Sequence, residues 1–159
     1  MEFSEIVKTF TTAVANNEGQ ALASLFTVDG IYDDYIYGEF KGRKNIAMML
    51  PTHFHRDAKN FSWEMYDLIS NESKGYARYR FSFTSTIAGS ENLIVAVPGM
   101  AYFQFNGILI EYYGEVVNGG IPMAQLKLPS KKIKRVFEKW SERALKSDPE
   151  LKKFYKKGE

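Results

Sequence analysis

Two alternating runs of residues meet at Asn106-Gly107, and this dipeptide constrains the fold more than any other part of the 159-residue chain. Asn-Gly between strand-like segments calls for a two-residue hairpin of the primed type, because both positions tolerate positive φ. A turn that tight sets the register of its strands. Centred on Asn106-Gly107, it places Phe105 opposite Ile108, Phe103 opposite Ile110 and Ala101 opposite Tyr112, all on one face. Tyr102, Gln104, Leu109, Glu111, Tyr113 and Glu115 then fall on the other.

The same period runs through most of the chain. Residues 61–70, 75–86, 93–105 and 108–117 read as four strands, with a bulge or bend expected at Pro98-Gly99. In the second of these, Ala77, Tyr79, Phe81 and Phe83 form an apolar face opposite Arg78, Arg80, Ser82 and Thr84. Residues 31–37 read as a further strand, opened by a turn at Asp29-Gly30. Helical spacing appears earlier. Phe3, Ile6, Val7, Phe10, Ala13 and Val14 make one apolar stripe, and a shorter helix carries Ala21, Leu22, Leu25 and Phe26. A third helix follows Gly42 and is expected to end at Pro51, since the residue before a proline resists the helical region. Three helices ahead of a curved antiparallel sheet make an α+β layout, with a cavity expected in the concavity between them.

Composition narrows the chemistry. With no cysteine there is no disulfide framework, thiolate zinc site or thiol nucleophile, which fits a cytoplasmic protein. No apolar run approaches the roughly 20 residues of a membrane span, and the start MEFSEIVKTF lacks a signal-peptide layout, so no membrane partner is expected. No phosphate loop, dinucleotide fingerprint, nucleophile elbow or HExxH pattern occurs. Aromatic residues number 24, enough to line a wide core or a cavity.

Charge divides the chain in two. Residues 1–118 hold 9 basic and 14 acidic side chains; residues 119–159 hold 12 and 5. The second part reads as a basic amphipathic extension. Ile133, Val136, Phe137, Trp140 and Ala144 form its stripe, and Pro149 opens its last helix. It is expected to pack on the domain or on a sister subunit. Nucleic acid is not the expected partner, since no aromatic and basic sheet face accompanies the extension.

Three groups are candidates for chemistry. Asp33 and Asp34 alternate, so one of them points to the apolar side; a carboxyl there works as acid or base, unless both serve the backbone near the turn. His53 and His55, with Asp57 nearby, sit after Pro51 in an expected loop, and no fourth ligand is spaced for a metal. Arg78, Arg80, Glu111 and Glu115 fall on the faces opposite the apolar ones, as surface ion pairs or a dimer interface with Tyr76, Tyr102 and Tyr113.

The order of elements, Gly42-Arg43-Lys44-Asn45-Ile46 opening a helix, and Phe103-Gln-Phe-Asn-Gly107 before Ile110-Glu-Tyr112 resemble the nuclear transport factor two-like superfamily, in its SnoaL-like, polyketide cyclase-like branch. The resemblance covers about residues 3–118. It implies a cystatin-like cone with a hydrophobic pocket, a C-terminal helical extension outside it, and often a homodimer. Asp34, in Tyr32-Asp-Asp34, is similar to the proton-shuttling aspartate of ketosteroid isomerases, while Phe10 and Ala101 stand where that group carries its oxyanion donors. The SnoaL-like cyclases place an acid near the end of the last strand, where this chain has Val117-Asn118. The expectation is a cofactor-independent lyase, isomerase or cyclase for an apolar carbonyl compound. Asp34 would move the proton, assisted by His53 or His55 and Tyr32, within walls of Trp63, Tyr79, Phe81, Phe103 and Tyr112. The alternative is a non-catalytic binder of a hydrophobic ligand or a protein. No metal or other cofactor is expected in either case.

Overall fold

The computed structural model describes residues 2–156. Its contacts divide the chain into two units, residues 1–126 and 127–159.

In the first unit, helices α1 (Phe3–Ala15), α2 (Gly19–Ser24), α3 (Arg43–Met49) and α4 (His55–Asp57) accompany a six-stranded sheet. The strands are β1 (Phe26–Asp34), β2 (Gly38–Lys41), β3 (Ala58–Ser70), β4 (Lys74–Ser85), β5 (Ile94–Asn106) and β6 (Leu109–Val117), in the spatial order β2-β1-β6-β5-β4-β3. Every pair is antiparallel except β1 with β6, which run parallel. The fold is α+β, a curved and unclosed sheet with helices on its apolar face. The α1 stripe buries Ile6, Val7, Phe10, Ala13 and Val14 as its spacing predicts. Single-residue irregularities at Asn60 (φ +56°) and Asp67 (φ +52°) accompany register shifts in β3, the kind of feature that bends a strand.

Several sequence expectations shift. The first strand starts at Phe26, not Ile31, so Phe26 leaves the second helix. Asp29-Gly30 is no turn between elements: it lies where β1 bulges against β6, between the pairs Phe26↔Ile110 and Ile31↔Tyr112. The turn comes at residues 35–37, where Asp34 gathers two backbone N–H groups, and β2 returns from it. The α-helical hydrogen bonding of the third helix stops at Met49, ahead of Pro51 as expected, but the chain stays coiled beyond it. The missing N–H and the crowding of its ring are absorbed by a wider π-type turn over Leu50–Phe54, closed by His55 N–H on the Leu50 carbonyl, and the chain enters α4. His53 and His55 are therefore helical rather than in a loop.

Pro98-Gly99 makes no bulge either, because β5 pairs with β4 unbroken from Ile94 to Gln104. Beyond Gly99↔Val117 the strand has outrun β6, so a proline there breaks no ladder on that side. Gln125, at the end of helix α5 (Gly120–Gln125), covers the exposed edge by bonding both the N–H and the carbonyl of Ala96.

The hairpin of β5 and β6 forms, but one residue later than Asn-Gly implies. Asn106 pairs with Leu109, the loop is Gly107-Ile108, and Gly107 alone takes positive φ (+61°), as a turn with glycine at its first central position requires. Phe105 then faces Ile110. Glu111 bulges out, and beyond it Gln104 pairs with Tyr112, Phe103 with Tyr113 and Ala101 with Glu115. An extra residue in a ladder flips every later side chain. Tyr112 thus lies on the outer face, while Tyr113 and Glu115 point inward.

The second unit holds α6 (Ser130–Ser147) and α7 (Pro149–Lys156). Phe137 and Trp140 meet edge to face at 5.7 Å on the apolar stripe of α6. Pro149 opens α7 as predicted, and Asp148 Oδ1 accepts the N–H groups of Glu150 and Leu151 as its cap.

Candidate functional site

Strand β6 carries the centre of the site, because the Glu111 bulge turns Glu115 into the concave face. Tyr79 Oη of β4 donates to Glu115 Oε2 at 2.9 Å, and Tyr113 Oη donates to the same oxygen at 3.0 Å. The Tyr35 N–H approaches Oε1 at 3.4 Å. Burial pushes the Glu115 carboxyl above its ordinary pKa, and the two phenols pull against that shift without cancelling it. Burial also raises Tyr79 and Tyr113, reinforced by the neighbouring carboxylate, so both phenols stay protonated and remain donors. Glu115 as a whole residue is only half-buried, while its carboxyl is enclosed by protein.

Asp34 is the neighbour of Glu115 across the parallel seam. Asp33 pairs with Gly114, so the next residue on each strand comes side by side, facing inward. Asp34 is 6% exposed. Its Oδ1 accepts the N–H groups of Ile36 at 2.8 Å and Tyr37 at 2.7 Å. Both readings of this aspartate therefore hold together: it organises the turn, and it lies inside. Asp33 faces outward and accepts Tyr112 Oη at 2.7 Å.

Two residues back along β1 and β6 come Tyr32 and Tyr113, with ring centroids 4.6 Å apart. Phe10 stacks on Tyr32 at 5.6 Å and also meets Trp63, Phe103 and Tyr113. Phe10, Tyr32, Ala101 and Phe103 have no exposed surface, so rings fill the space around them. Trp63 Nε1 is buried without a hydrogen-bond partner among the described residues, and the buried Tyr32 hydroxyl lies against the Tyr113 phenol. Burial first, then the nearby Glu115 and Asp34, hold the Tyr32 proton on.

The surroundings of Gly99 and Val117 are different. Trp63, Phe81, Phe83, Gly99, Glu115 and Val117 all point inward yet keep some exposure, in contrast to their buried neighbours Tyr79, Val97 and Ala101. They are contiguous through the pairs Trp63↔Phe81, Tyr79↔Gly99 and Gly99↔Val117. Solvent therefore reaches the concave face along this band, with Glu115 beside it. Gly99 is required here, because a Cβ would overlap the Tyr79 ring that crosses the strand to reach Glu115.

The histidines do not join the pair. His55 Nε2 bonds the Val14 carbonyl at 2.8 Å and its ring packs on Phe61, tying the π-type turn to the end of α1. His53 Nδ1 meets Thr52 Oγ1 at 2.9 Å, and its ring lies between Tyr37 and Phe40. Asp57 accepts Tyr37 Oη at 2.7 Å and is held low in pKa, first by its hydrogen bond from Arg56. Among the described residues no three metal-ligating side chains converge. On the outer face Arg78 pairs with Asp67, and Arg80 with Glu64 over the Tyr66 ring. Of the candidates read from sequence, the structure brings Asp34, Tyr32, Tyr79 and Phe10 together and leaves Tyr112, His53 and His55 apart. Glu115 and Tyr113 are the members that strand alternation missed. Their signal was the change of apolar parity from Ile110 to Tyr113 and Val117.

Residues 7–113 match the model of the SnoaL-like domain. Among solved structures, one neighbour is a hypothetical protein with a ketosteroid isomerase-like fold from Catenulispora acidiphila DSM 44928, in complex with trimethylamine. It has TM-score 0.70 and 21% identity over 80% of this chain and 95% of that one. A candidate SnoaL-like polyketide cyclase from Shewanella putrefaciens CN-32 aligns with TM-score 0.65 and 14% identity, over 79% and 96%. An LEH-like epoxide hydrolase from M. tuberculosis aligns with TM-score 0.62 and 13% identity, over 77% and 86%. Among curated proteins none matches the sequence.

Proposed function

The chain belongs to the family of SnoaL-like domain proteins, within the nuclear transport factor two-like superfamily, and on that premise we propose that its first unit is a cofactor-independent proton-transfer enzyme acting on an apolar carbonyl compound. The observation that carries the reading is the convergence of Tyr79 and Tyr113 on Glu115 beside Asp34, at the edge of a solvent-reached aromatic band. Of the two carboxyls, Glu115 is the one that burial holds above its ordinary pKa, so it keeps a proton at pH values where an exposed carboxyl has lost it. The ionised member takes a proton from the carbon next to the carbonyl, and the C–H electron pair moves into the new C=C bond as charge builds on oxygen. Return of the proton at another carbon, or loss of a leaving group, gives isomerase or lyase chemistry. Glu115 supplies the inward acid that Val117-Asn118 lack.

Incubation with 2-tetralone in D2O, followed by proton NMR, tests the reading. The protein is expected to exchange the α-protons faster than buffer does, and Glu115→Gln is expected to lose that acceleration. Equal rates for protein and buffer would overturn it. A second reading, a binding protein without turnover, draws on the buried rings around Phe10 and Tyr32, which leave a ligand the partly exposed band around Trp63 and Phe81.

A further inference from the structure

We infer that Asn106, at the tip of the β5–β6 hairpin, is a site of spontaneous covalent modification: its side-chain amide is lost as ammonia through a succinimide that opens to aspartate and isoaspartate. Asn118, in the chain's other Asn-Gly pair, is held back by the fold.

The dipeptide sets the chemistry. The Gly107 nitrogen gives its proton to a solvent base and attacks Asn106 Cγ. A new N–C bond closes a five-membered ring, the Cγ–Nδ2 bond breaks, and the side-chain nitrogen takes a proton from solvent and leaves as ammonia. Water then adds to one of the two ring carbonyls. Opening at the side-chain carbonyl gives aspartate; opening at the main-chain carbonyl gives isoaspartate, whose backbone runs through the former side chain. Glycine favours the attack because no Cβ crowds the nitrogen.

The structure separates the two sites. Gly107 and Ile108 are the central residues of the turn, so the Gly107 N–H lies outside the ladder that ends at Asn106↔Leu109. Asn106, Gly107 and Ile108 are all exposed, and nothing lies within 4 Å of where a Gly107 Cβ would be. Base and water therefore reach the nitrogen. The Asn106 carboxamide bonds none of the described residues. Bringing Cγ over the nitrogen needs a rotation of the Asn106 backbone that disturbs only the last pair of the ladder, the part of a hairpin that opens most easily.

Around Asn118 the same rotation breaks more. Its Oδ1 accepts the Gly120 N–H at 3.1 Å, and its carbonyl accepts the Ile121 N–H at 3.1 Å, at the start of α5. Gly119 is buried, which keeps base from its nitrogen. The consequence at Asn106 falls on the hairpin. Either product adds a carboxylate there, and isoaspartate also lengthens the backbone at the residue that pairs with Leu109.

Ageing the chain in mildly alkaline buffer, folded and in urea, followed by peptide mass mapping, tests this; cleavage after Glu111 and Glu115 parts the two sites. In the folded chain the Asn106 peptide is expected to gain the mass difference between amide and acid, with isoaspartate the larger product. It is expected to convert about tenfold faster than the Asn118 peptide, as two hydrogen bonds broken ahead of attack imply. In urea both sites are expected to convert at similar rates. The aged chain is expected to melt below Asn106→Asp, which carries the charge on an unaltered backbone. The inference is overturned if folded Asn106 stays intact over a time in which it converts in urea, or if Asn118 converts as fast as Asn106 in the folded chain. An aged chain as stable as Asn106→Asp would overturn the effect on the hairpin.

Discussion

Asp34 and Glu115 lie side by side on adjacent parallel strands, facing inward, with two phenols donating to the glutamate and two backbone N–H groups to the aspartate. The β1–β6 seam is the one parallel pairing in the sheet. It brings together two acids 81 positions apart in the chain, a placement that neither strand implies alone.

Glu115 holds its proton more tightly in the folded chain than in the unfolded one, because burial disfavours its charge. The native state therefore binds the extra proton between the ordinary carboxyl value of about 4.3 and its own higher value. Stability from this group is full below about pH 4.3 and is lost as pH rises through the folded value. Glu115→Gln has no such proton. The Tm of the variant relative to wild type is thus expected to improve from about pH 4 to about pH 8, by about 2–4 °C for each kcal/mol at this chain length. A gap that stays flat with pH would show that Glu115 titrates normally.

Substitutions at Asp34 separate its two roles. Asp34→Asn keeps an oxygen for Ile36 and Tyr37 and is expected to cost less than about 1 kcal/mol in urea unfolding. Asp34→Ala leaves two N–H groups without that acceptor and is expected to cost about 1–3 kcal/mol. Both should lose 2-tetralone exchange. Full exchange in Asp34→Asn would confine the aspartate to the turn.

Gly99 and Tyr79 are coupled by contact. Gly99→Ala drives a methyl into the Tyr79 ring and is expected to cost about 1–3 kcal/mol, as overpacking does. In a Tyr79→Ala background the same change should cost little, because the ring is gone. The non-additivity of that double-mutant cycle in urea midpoints measures the coupling. Additive costs would mean that the ring leaves Gly99 without strain.

Much of this architecture was legible residue by residue. The helical stripe from Phe3 to Val14 buries as its period requires, and the strand runs after residue 60 form where alternation puts them. Asn106-Gly107 gave the hairpin but not the site. A single bulged residue, Glu111, has no signature of its own, and it decides that Tyr113 and Glu115 face in and Tyr112 faces out. Pro51 marked the end of α3 but not the π-type turn and α4 that follow it: the effect of a proline on a helix is local, and contacts such as His55 to Val14 hold the coil beyond. Asp34 was found because alternation tests one strand at a time; its pairing with Glu115 depends on long-range order.

The histidines are expected to divide by role. His55 Nε2 reaches the Val14 carbonyl at the end of α1, so His55→Ala leaves that group with only the long Asn17 N–H contact at 3.4 Å and removes a ring from Phe61. A cost of about 1–3 kcal/mol in urea unfolding is expected, with exchange activity retained below the new Tm. His53 touches Thr52, Tyr37 and Phe40 at the rim, and His53→Ala is expected to leave exchange unchanged. Loss of exchange in His53→Ala at unchanged stability would return a proton-carrying role to it.

The outer face of the sheet offers a surface for a second copy of the chain. Met100 and Val116 are cross-strand partners, 50% and 73% exposed, and Tyr76 and Tyr102 meet beside them at a tilt, ring centroids 5.3 Å apart. Apolar groups adjoining on an ordered sheet are the kind of patch that self-association covers, whereas scattered ones are not. Val116→Lys puts a charge into its centre without touching any inward side chain. Wild type is expected to sediment as a dimer and Val116→Lys as a monomer, with 2-tetralone exchange per chain preserved, because the Asp34–Glu115 pair lies on the opposite face. A wild-type monomer, or a dimer indifferent to Val116→Lys, would show that this face is not the interface.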